Sequence, residues 1–266
     1  MEITVVSLFS GRWGSLSHYL YGLKNIDYPK EKLRLLWYCN CPTIFADTLR
    51  LVSKSLIGFK DIKIIHDQTL PPTQLCLSQM KDHKKGEQLN IAHRHLNNIA
   101  SLYNAAWQYI DTDYVFTLED DIILPHGTLK KFVNIIDEKP KAVELMGVFN
   151  DRHFEQAVMA FDLAQIPVVD KKGKVELVQV LVQPSCPWGV QKVVTGALGI
   201  NLFIRSRMPK ILKRKYPFKP VTKPKGMARP YGLDILLGLE ITKNGGEVYA
   251  DFETRPFHVD AKARYL

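Results

Sequence analysis

The chain has 266 residues, 46% of them hydrophobic and 24% charged, and its 36 Lys and Arg against 27 Asp and Glu leave a net charge of +9. That apolar fraction excludes a disordered chain, and 16 Gly and 15 Pro exclude a collagen-like one. The excess of positive charge points to an anionic partner without naming it. In chain order, Ile3 to Leu8 is a β-branched apolar run that predicts a first strand, ended by Ser10-Gly11. Leu16, Tyr19, Leu20 and Leu23 then recur at helical spacing. Leu33 to Cys39 predicts a second strand, Phe45 to Leu56 a second helix and Ile62 to Ile65 a third strand. Thr69 to Lys85 has little periodicity and is expected to be a long loop. Ile91 to Ile110 predicts a helix with Ile91, His95, Ile99, Leu102, Ala106 and Ile110 on one face, and Tyr114 to Leu118 a fourth strand. This alternation argues for an α/β fold with a parallel sheet flanked by helices. Further on, Val143 to Phe149 and Val175 to Val182 read as strands, and Gly196 to Ile204 is apolar with two glycines. Tyr231 to Lys243 reads as a helix and Glu247 to Ala250 as a last strand.

No repeat or linker interrupts the chain, so a single domain is expected over 1–266. Residues 1–125 and 126–266 would form its two halves. No apolar run approaches the roughly 20 residues of a membrane span. Met1-Glu2-Ile3-Thr4 has no secretory-signal pattern. Cys39, Cys41, Cys76 and Cys186 form no C-x-x-C pair, so reduced thiols and a soluble, cytoplasmic protein are expected.

The most informative feature is Glu119-Asp120-Asp121, three carboxylates inside the apolar stretch from Tyr114 to Pro125. Adjacent like charges repel, and desolvating them is costly without a cation or hydrogen-bond donors. An acidic turn between strand and helix is the common reason for such a triplet. At the carboxyl edge of a fourth alternating strand, where open α/β sheets bind ligands, a Mg²⁺ or Mn²⁺ site is the better reading.

The ordered series of motifs resembles the GT-A fold nucleotide-sugar glycosyltransferases, especially their large inverting family. Ile3 to Arg12 is similar to the first strand and nucleotide loop of that family. Tyr28-Pro29 followed by Leu33 to Asn40 is similar to its second-strand region, and Glu119-Asp120-Asp121 to its DxD metal motif. Gly232-Leu233-Asp234, followed by a helix and Gly245-Gly246-Glu247-Val248-Tyr249-Ala250-Asp251, resembles the segment that carries the catalytic base. His258 falls where many members place a late metal-binding histidine. The resemblance implies a Rossmann-like, mostly parallel GT-A sheet in a single domain, with a nucleotide-sugar-binding half over 1–125 and an acceptor-binding half over 126–266, and a metal-dependent transfer from a nucleotide sugar, a UDP-sugar foremost.

On that resemblance Asp121 ligates Mn²⁺ or Mg²⁺, Glu119 assists and His258 is a further metal or phosphate contact. Asp234 is the general base toward the acceptor hydroxyl in an inverting displacement; a retaining enzyme would not use it so. An acid at a helix N-terminus is also favoured by the macrodipole alone. The nucleotide would be held by Ser7, Ser10 and Arg12, by Asn40, by Asp120, and by Arg94 and Asn104 from the helix ahead of the triplet. Asn40 departs from the aspartate many relatives place near that position, which leaves the base open. His93 and His95, at i and i+2, face different sides of a helix and are not read as metal ligands. Trp188, in Pro184-Ser185-Cys186-Pro187-Trp188-Gly189, suits a sugar or acceptor platform, although a core is the commoner place for Trp.

Between Arg205 and Arg229 lie ten basic residues and no acidic one, so the remaining chain is close to neutral. Lys213, Arg214, Lys215, Lys223, Lys225 and Arg229 are therefore expected to bind a polyanionic acceptor. One candidate is DNA, with Tyr216, Phe218 or Tyr231 stacking on a base and a hydroxylated base flipped into the site. A viral DNA-modifying enzyme, working in the host cytoplasm, is a fitting setting. The other candidate is a lipid-linked or envelope glycan, approached through a basic amphipathic patch of Met208, Ile211 and Leu212. Of the other classes, a nucleotidyltransferase lacks a glycine-rich phosphate loop here. A non-catalytic nucleic-acid-binding module explains the basic run but not the triplet.

Overall fold

A computed structural model describes residues 1–69, 85–148, 150–151, 154–169, 174–210, 212, 217–219 and 232–259. The first half alternates as β1 (Ile3–Phe9), α1 (Trp13–Lys24), β2 (Leu33–Cys39), α2 (Thr43–Ser53), β3 (Asp61–His66), α3 (Lys85–Trp107) and β4 (Tyr114–Leu118). After it come β5 (Ile122–Ile123), α4 (Thr128–Asp137), β6 (Ala142–Gly147), β7 (Asn150–Asp151), β8 (Phe154–Val158), β9 (Ala160–Val169) and β10 (Val175–Val182). The chain continues through β11 (Val190–Val193), β12 (Thr195–Gly196), β13 (Ile200–Ile204), α5 (Leu233–Lys243), β14 (Glu247–Asp251) and β15 (Phe257–His258).

An eight-stranded sheet in the order β11-β14-β6-β13-β4-β1-β2-β3 organises the molecule. β1 runs parallel to β2 and β4, and β2 parallel to β3. β13 lies antiparallel between β4 and β6, so the sheet is mixed rather than wholly parallel. Residues of the second half thus sit between strands on either side of the expected division near residue 125.

Period-two alternation sorts the residues of β1 between two cores. Ile3, Val5 and Phe9 join Tyr19, Leu23, Phe45, Leu49, Phe132 and Ile136 on the face covered by α1, α2 and α4. Val6 joins Leu102, Tyr103, Ala106, Trp107, Leu237 and Ile241 on the face covered by α3 and α5. Burial on both faces explains why β1 and β2 read as continuous apolar runs. On the α3–α5 side, Asn201 of β13 donates a 2.5 Å hydrogen bond from Nδ2 to Oε1 of Glu144 on β6, and both residues are buried. Burial pushes the Glu144 carboxyl up to about 8, the nearby charge of Asp234 adds to the rise, and the Asn201 bond offsets part of it.

The helix expected from Phe45 starts two residues earlier and ends at Ser53, before Leu56. α4, β9 and β11 lie in stretches where the sequence predicts no element. β9 pairs along its length with β10 as a long antiparallel hairpin. The segment after Thr69, Cys76, and the basic residues Lys213, Arg214, Lys215, Lys223, Lys225 and Arg229 lie outside the described residues. Among the described residues no helix is long and apolar enough to cross a membrane.

Candidate active site

The cleft lies at the carboxyl ends of β1, β2 and β4, the edge where an α/β sheet presents its ligand site. Ser10 and Arg12 enter from the loop after β1, Asn40 from the end of β2, and Glu119 and Asp120 from the end of β4. Helix α3 closes the remaining side with His95, Ile99 and Tyr103, one face at i, i+4 and i+8. Of these, His95 and Ile99 belong to the apolar face that the sequence predicts, and Tyr103 falls just outside it. The polar tips of His95 and Tyr103 on an otherwise apolar face were the available signal.

The acidic triplet is tied to the first loop. The Ser10 amide donates to Asp120 Oδ2 at 3.4 Å, and Arg12 Nη1 donates to Asp120 Oδ1 at 3.2 Å. The same Nη1 pairs with Asp121 Oδ2. Gly11 precedes Arg12 with φ of 93°, a left-handed conformation that turns the chain toward the triplet and that glycine adopts without strain. Burial disfavours the Arg12 charge, but the carboxylates of Asp120, Asp121 and Glu119 more than offset this and hold its pKa above the ordinary value.

The late histidine arrives through β15, which pairs antiparallel with β5 so that His258 stands opposite Ile122. The Val259 amide donates to the Asp121 carbonyl at 2.8 Å and fixes this register. His258 is buried, with Nδ1 3.7 Å from Asp121 Oδ1. It is therefore not an exposed tail residue.

Asp234 occupies the second position of α5, where a carboxylate meets the positive end of the helix. Its Oδ1 accepts from the Ile235 amide at 2.9 Å. The carboxylate folds back over Gly232, where an added Cβ would come within 2.2 Å of Oδ1, so the glycine makes room for it. Burial pushes the Asp234 carboxyl up to about 6, against the lowering effect of the backbone hydrogen bonds. The Thr195 hydroxyl donates to the Asp234 and Ile235 carbonyls at 3.2 and 3.3 Å and docks this end of α5 on β12. Tyr103 links the two acidic regions. Its buried phenol is held well above its ordinary range, first by desolvation and then by Glu119, Asp120, Asp234 and Asp121.

Three residues expected at the nucleotide stand elsewhere. Ser7 points to the α1 face of β1, where its hydroxyl shares a 2.6 Å bond with the Tyr19 hydroxyl inside the core. Arg94 is exposed on α3, one position away from the face that lines the cleft. Asn104 binds the backbone of Phe218 with both amide atoms, at 2.7 and 2.8 Å. Trp188, in contrast to a core tryptophan, is 74% exposed.

The basic run is less uniform than its sequence suggests. Arg205 and Arg207 donate to backbone carbonyls, of Ile110 and Thr112 and of Ile136, Lys139 and Ala142 respectively. Lys219 pairs with Glu240 at 2.7 Å, an acid from outside the run. Met208 and Leu212 are buried, so these two residues of the expected membrane patch belong to the core instead.

Among the described residues no group of three or more His, Cys, Asp and Glu is arranged to hold a metal ion by itself. The donors that do converge are Asp121 and His258. A carboxylate with an imidazole suits Mn²⁺, and a cation held by few protein ligands completes its shell with phosphate oxygens and water. The two residues therefore fit a divalent cation.

The glycosyl transferase family 2 model matches residues 38–158, a span that includes β2, α3 and the triplet. The S. aureus TarS 1-349 structure is similar over 96% of this chain and 59% of its own, with a TM-score of 0.55 at 13% identity. TarS 1-349 in complex with UDP-GlcNAc aligns at 0.53 and 12% identity, over 96% of this chain and 57% of that one. The mannosyltransferase PcManGT from Pyrobaculum calidifontis, in complex with GDP-Man and Mn2+, gives 0.52 and 14%, over 96% and 56%. The chain thus spans less than two thirds of the length of these structures. None of the curated proteins matches it by sequence. The mixed α/β sheet and its flanking helices are those of the GT-A fold.

Proposed function

We propose that this chain, a glycosyltransferase by its family 2 match and GT-A architecture, moves a sugar from a nucleotide-sugar donor to a hydroxyl of a polyanionic acceptor. The observation that carries the reading is the convergence on one sheet edge of a cleft, a buried carboxylate–histidine pair and, at the N-terminus of α5, a carboxyl with its pKa raised to about 6. Ser10, Arg12 and Asn40 would receive the nucleotide and its diphosphate. Asp121 and His258 would hold Mn²⁺ or Mg²⁺, which supplies Lewis-acid assistance to the departing diphosphate. Asp234 is mostly ionised at neutral pH and basic enough to take the acceptor's proton as its oxygen attacks. A single displacement with inversion is the stereochemistry we assign to it. The nucleotide sugars in the TarS and PcManGT structures support this class of donor, and a UDP-sugar is our choice.

The acceptor follows from charge. Lys213, Arg214, Lys215, Lys223, Lys225 and Arg229 keep the basic run without neighbouring acids in sequence. With Met208 and Leu212 in the core, an apolar membrane footing at that place is weakened. This favours a hydroxylated base in DNA over a lipid-linked glycan, with Trp188 as an aromatic contact. Labelled UDP-sugar with Mn²⁺, incubated with hydroxymethylated DNA and with lipid extracts, tests the reading. Label is expected in DNA, and label only in lipid overturns this acceptor. If calorimetry finds no nucleotide-sugar binding with any divalent metal, the transferase reading itself fails.

A further inference from the structure

We infer that Arg12 is an internal counter-cation that holds the Asp120–Asp121 pair until the donor arrives, so that metal binding becomes dependent on the nucleotide. The inference rests on the metal-assisted reading given above. Asp120 and Asp121 are adjacent in sequence and only 4% and 2% exposed. Two adjacent buried carboxylates repel each other, and a neighbouring positive charge offsets that repulsion. Arg12 supplies it, with one guanidinium nitrogen touching an oxygen of each. The second Asp121 oxygen faces His258. A divalent ion placed between Asp121 and His258 would therefore share its carboxylate with a guanidinium, and the two cations repel.

Arg12 is free to answer that repulsion. Its side chain is 28% exposed, it follows the turn at Gly11, and it lines the same cleft as Ser10 and Asn40. A diphosphate entering that cleft offers the guanidinium fork a partner of matching geometry. Arg12 then exchanges carboxylate for phosphate, and the carboxylates are released to the metal. Metal alone must displace Arg12, whereas metal with nucleotide need not. The result is a positive coupling between the two ligands.

Mn²⁺ binding to the full chain, followed through the electron paramagnetic resonance of the free ion with and without UDP, tests this. The native chain should bind Mn²⁺ more tightly when UDP is present. Arg12→Gln should bind Mn²⁺ alone about tenfold more tightly than the native chain, as expected when a largely closed site is opened. It should also gain less from UDP. Equal or weaker Mn²⁺ binding by Arg12→Gln overturns the inference and leaves the transferase reading standing. So does UDP binding that needs no metal and is lost in Arg12→Gln, since Arg12 would then be a permanent substitute for the ion. Adding Asp121→Asn to Arg12→Gln should remove the gained affinity, and its persistence would move the metal elsewhere and sink the idea. Should Arg12→Gln fold poorly, Arg12→Lys keeps the charge without the fork and should show a smaller gain of the same sign; no gain counts against the inference. A native chain that binds no nucleotide sugar with any divalent metal removes both readings.

Discussion

Asn104 holds Phe218 by its backbone on both sides: Nδ2 donates to the carbonyl at 2.7 Å, and Oδ1 accepts from the amide at 2.8 Å. The side chain acts as a strand would and fastens the chain in the middle of the basic stretch that leads to Asp234. Phe218 packs against Tyr103 with ring centroids 5.0 Å apart and planes tilted by 33°, so the clamp also steadies the cleft wall. Asn104→Asp keeps the shape but cannot donate to the Phe218 carbonyl. It should cost about 1–3 kcal/mol in chemical denaturation, the usual range for stranding a buried polar group. Its effect on transfer should appear in the acceptor KM.

Asp234 carries a prediction with opposite signs for activity and stability. With its pKa raised to about 6, activity should fall as the pH drops below that value. Asp234→Asn should lower kcat by about 10²–10⁴-fold, the range for a lost general base. A raised carboxyl pKa means that the folded state binds a proton the unfolded state has released. Stability is therefore highest below the ordinary aspartate value and declines as pH rises through about 6. Asp234→Asn should raise the melting temperature at pH 7, and a lower one would count against the strained carboxylate.

The same linkage applies to Glu144, whose carboxyl is pushed up to about 8 by burial. Between its ordinary value and that one, the folded chain keeps a proton the unfolded chain has lost. Stability should decline with rising pH in that window, by at most about 1.4 kcal/mol per pH unit for one group. Glu144→Gln should flatten this slope and leave the protein more stable than the native chain at pH 8.5. Denaturant melts at several pH values would measure it, and an unchanged slope would place the proton elsewhere.

Trp188 stands 74% exposed on the segment between β10 and β11. Trp188→Ala should change stability by no more than about 0.5 kcal/mol, as for other surface substitutions. If it is an acceptor platform, the acceptor KM rises while the donor KM does not. Equal effects on both would assign the tryptophan another role.

Asp121→Ala should abolish turnover and nucleotide-dependent Mn²⁺ binding, measured on the same preparation. Retained turnover would remove Asp121 from the metal site.

Much of this organisation was legible because periodicity survives where a strand is buried on both faces. β2 and β4 fall at Leu33–Cys39 and Tyr114–Leu118, the bounds that the apolar runs predict. The triplet was readable because three carboxylates after such a run need a physical explanation. What the chain hides is long-range. Nothing in residues 250–259 announces that β15 will pair with β5, since two residues of strand carry no pattern. The direction of the Ser7 side chain follows from strand parity, which puts it on the face of Val5 and Phe9 and away from the cleft. Arg94 was displaced by a single helical step. The acid opposite Lys219 lies 21 residues on, at Glu240, where no charge-run argument looks.

The antiparallel seat of β13 between β4 and β6 bears on how the chain is made. β4 gains its second neighbour only when residues 200–204 are available, some eighty residues later in synthesis. Until then a strand edge next to the acidic triplet stays open while the preceding parallel strands can already assemble. A stalled or truncated product ending before Ile204 would expose that edge to another chain, so aggregation of such fragments, and not a stably folded nucleotide-binding half, is the expected fate.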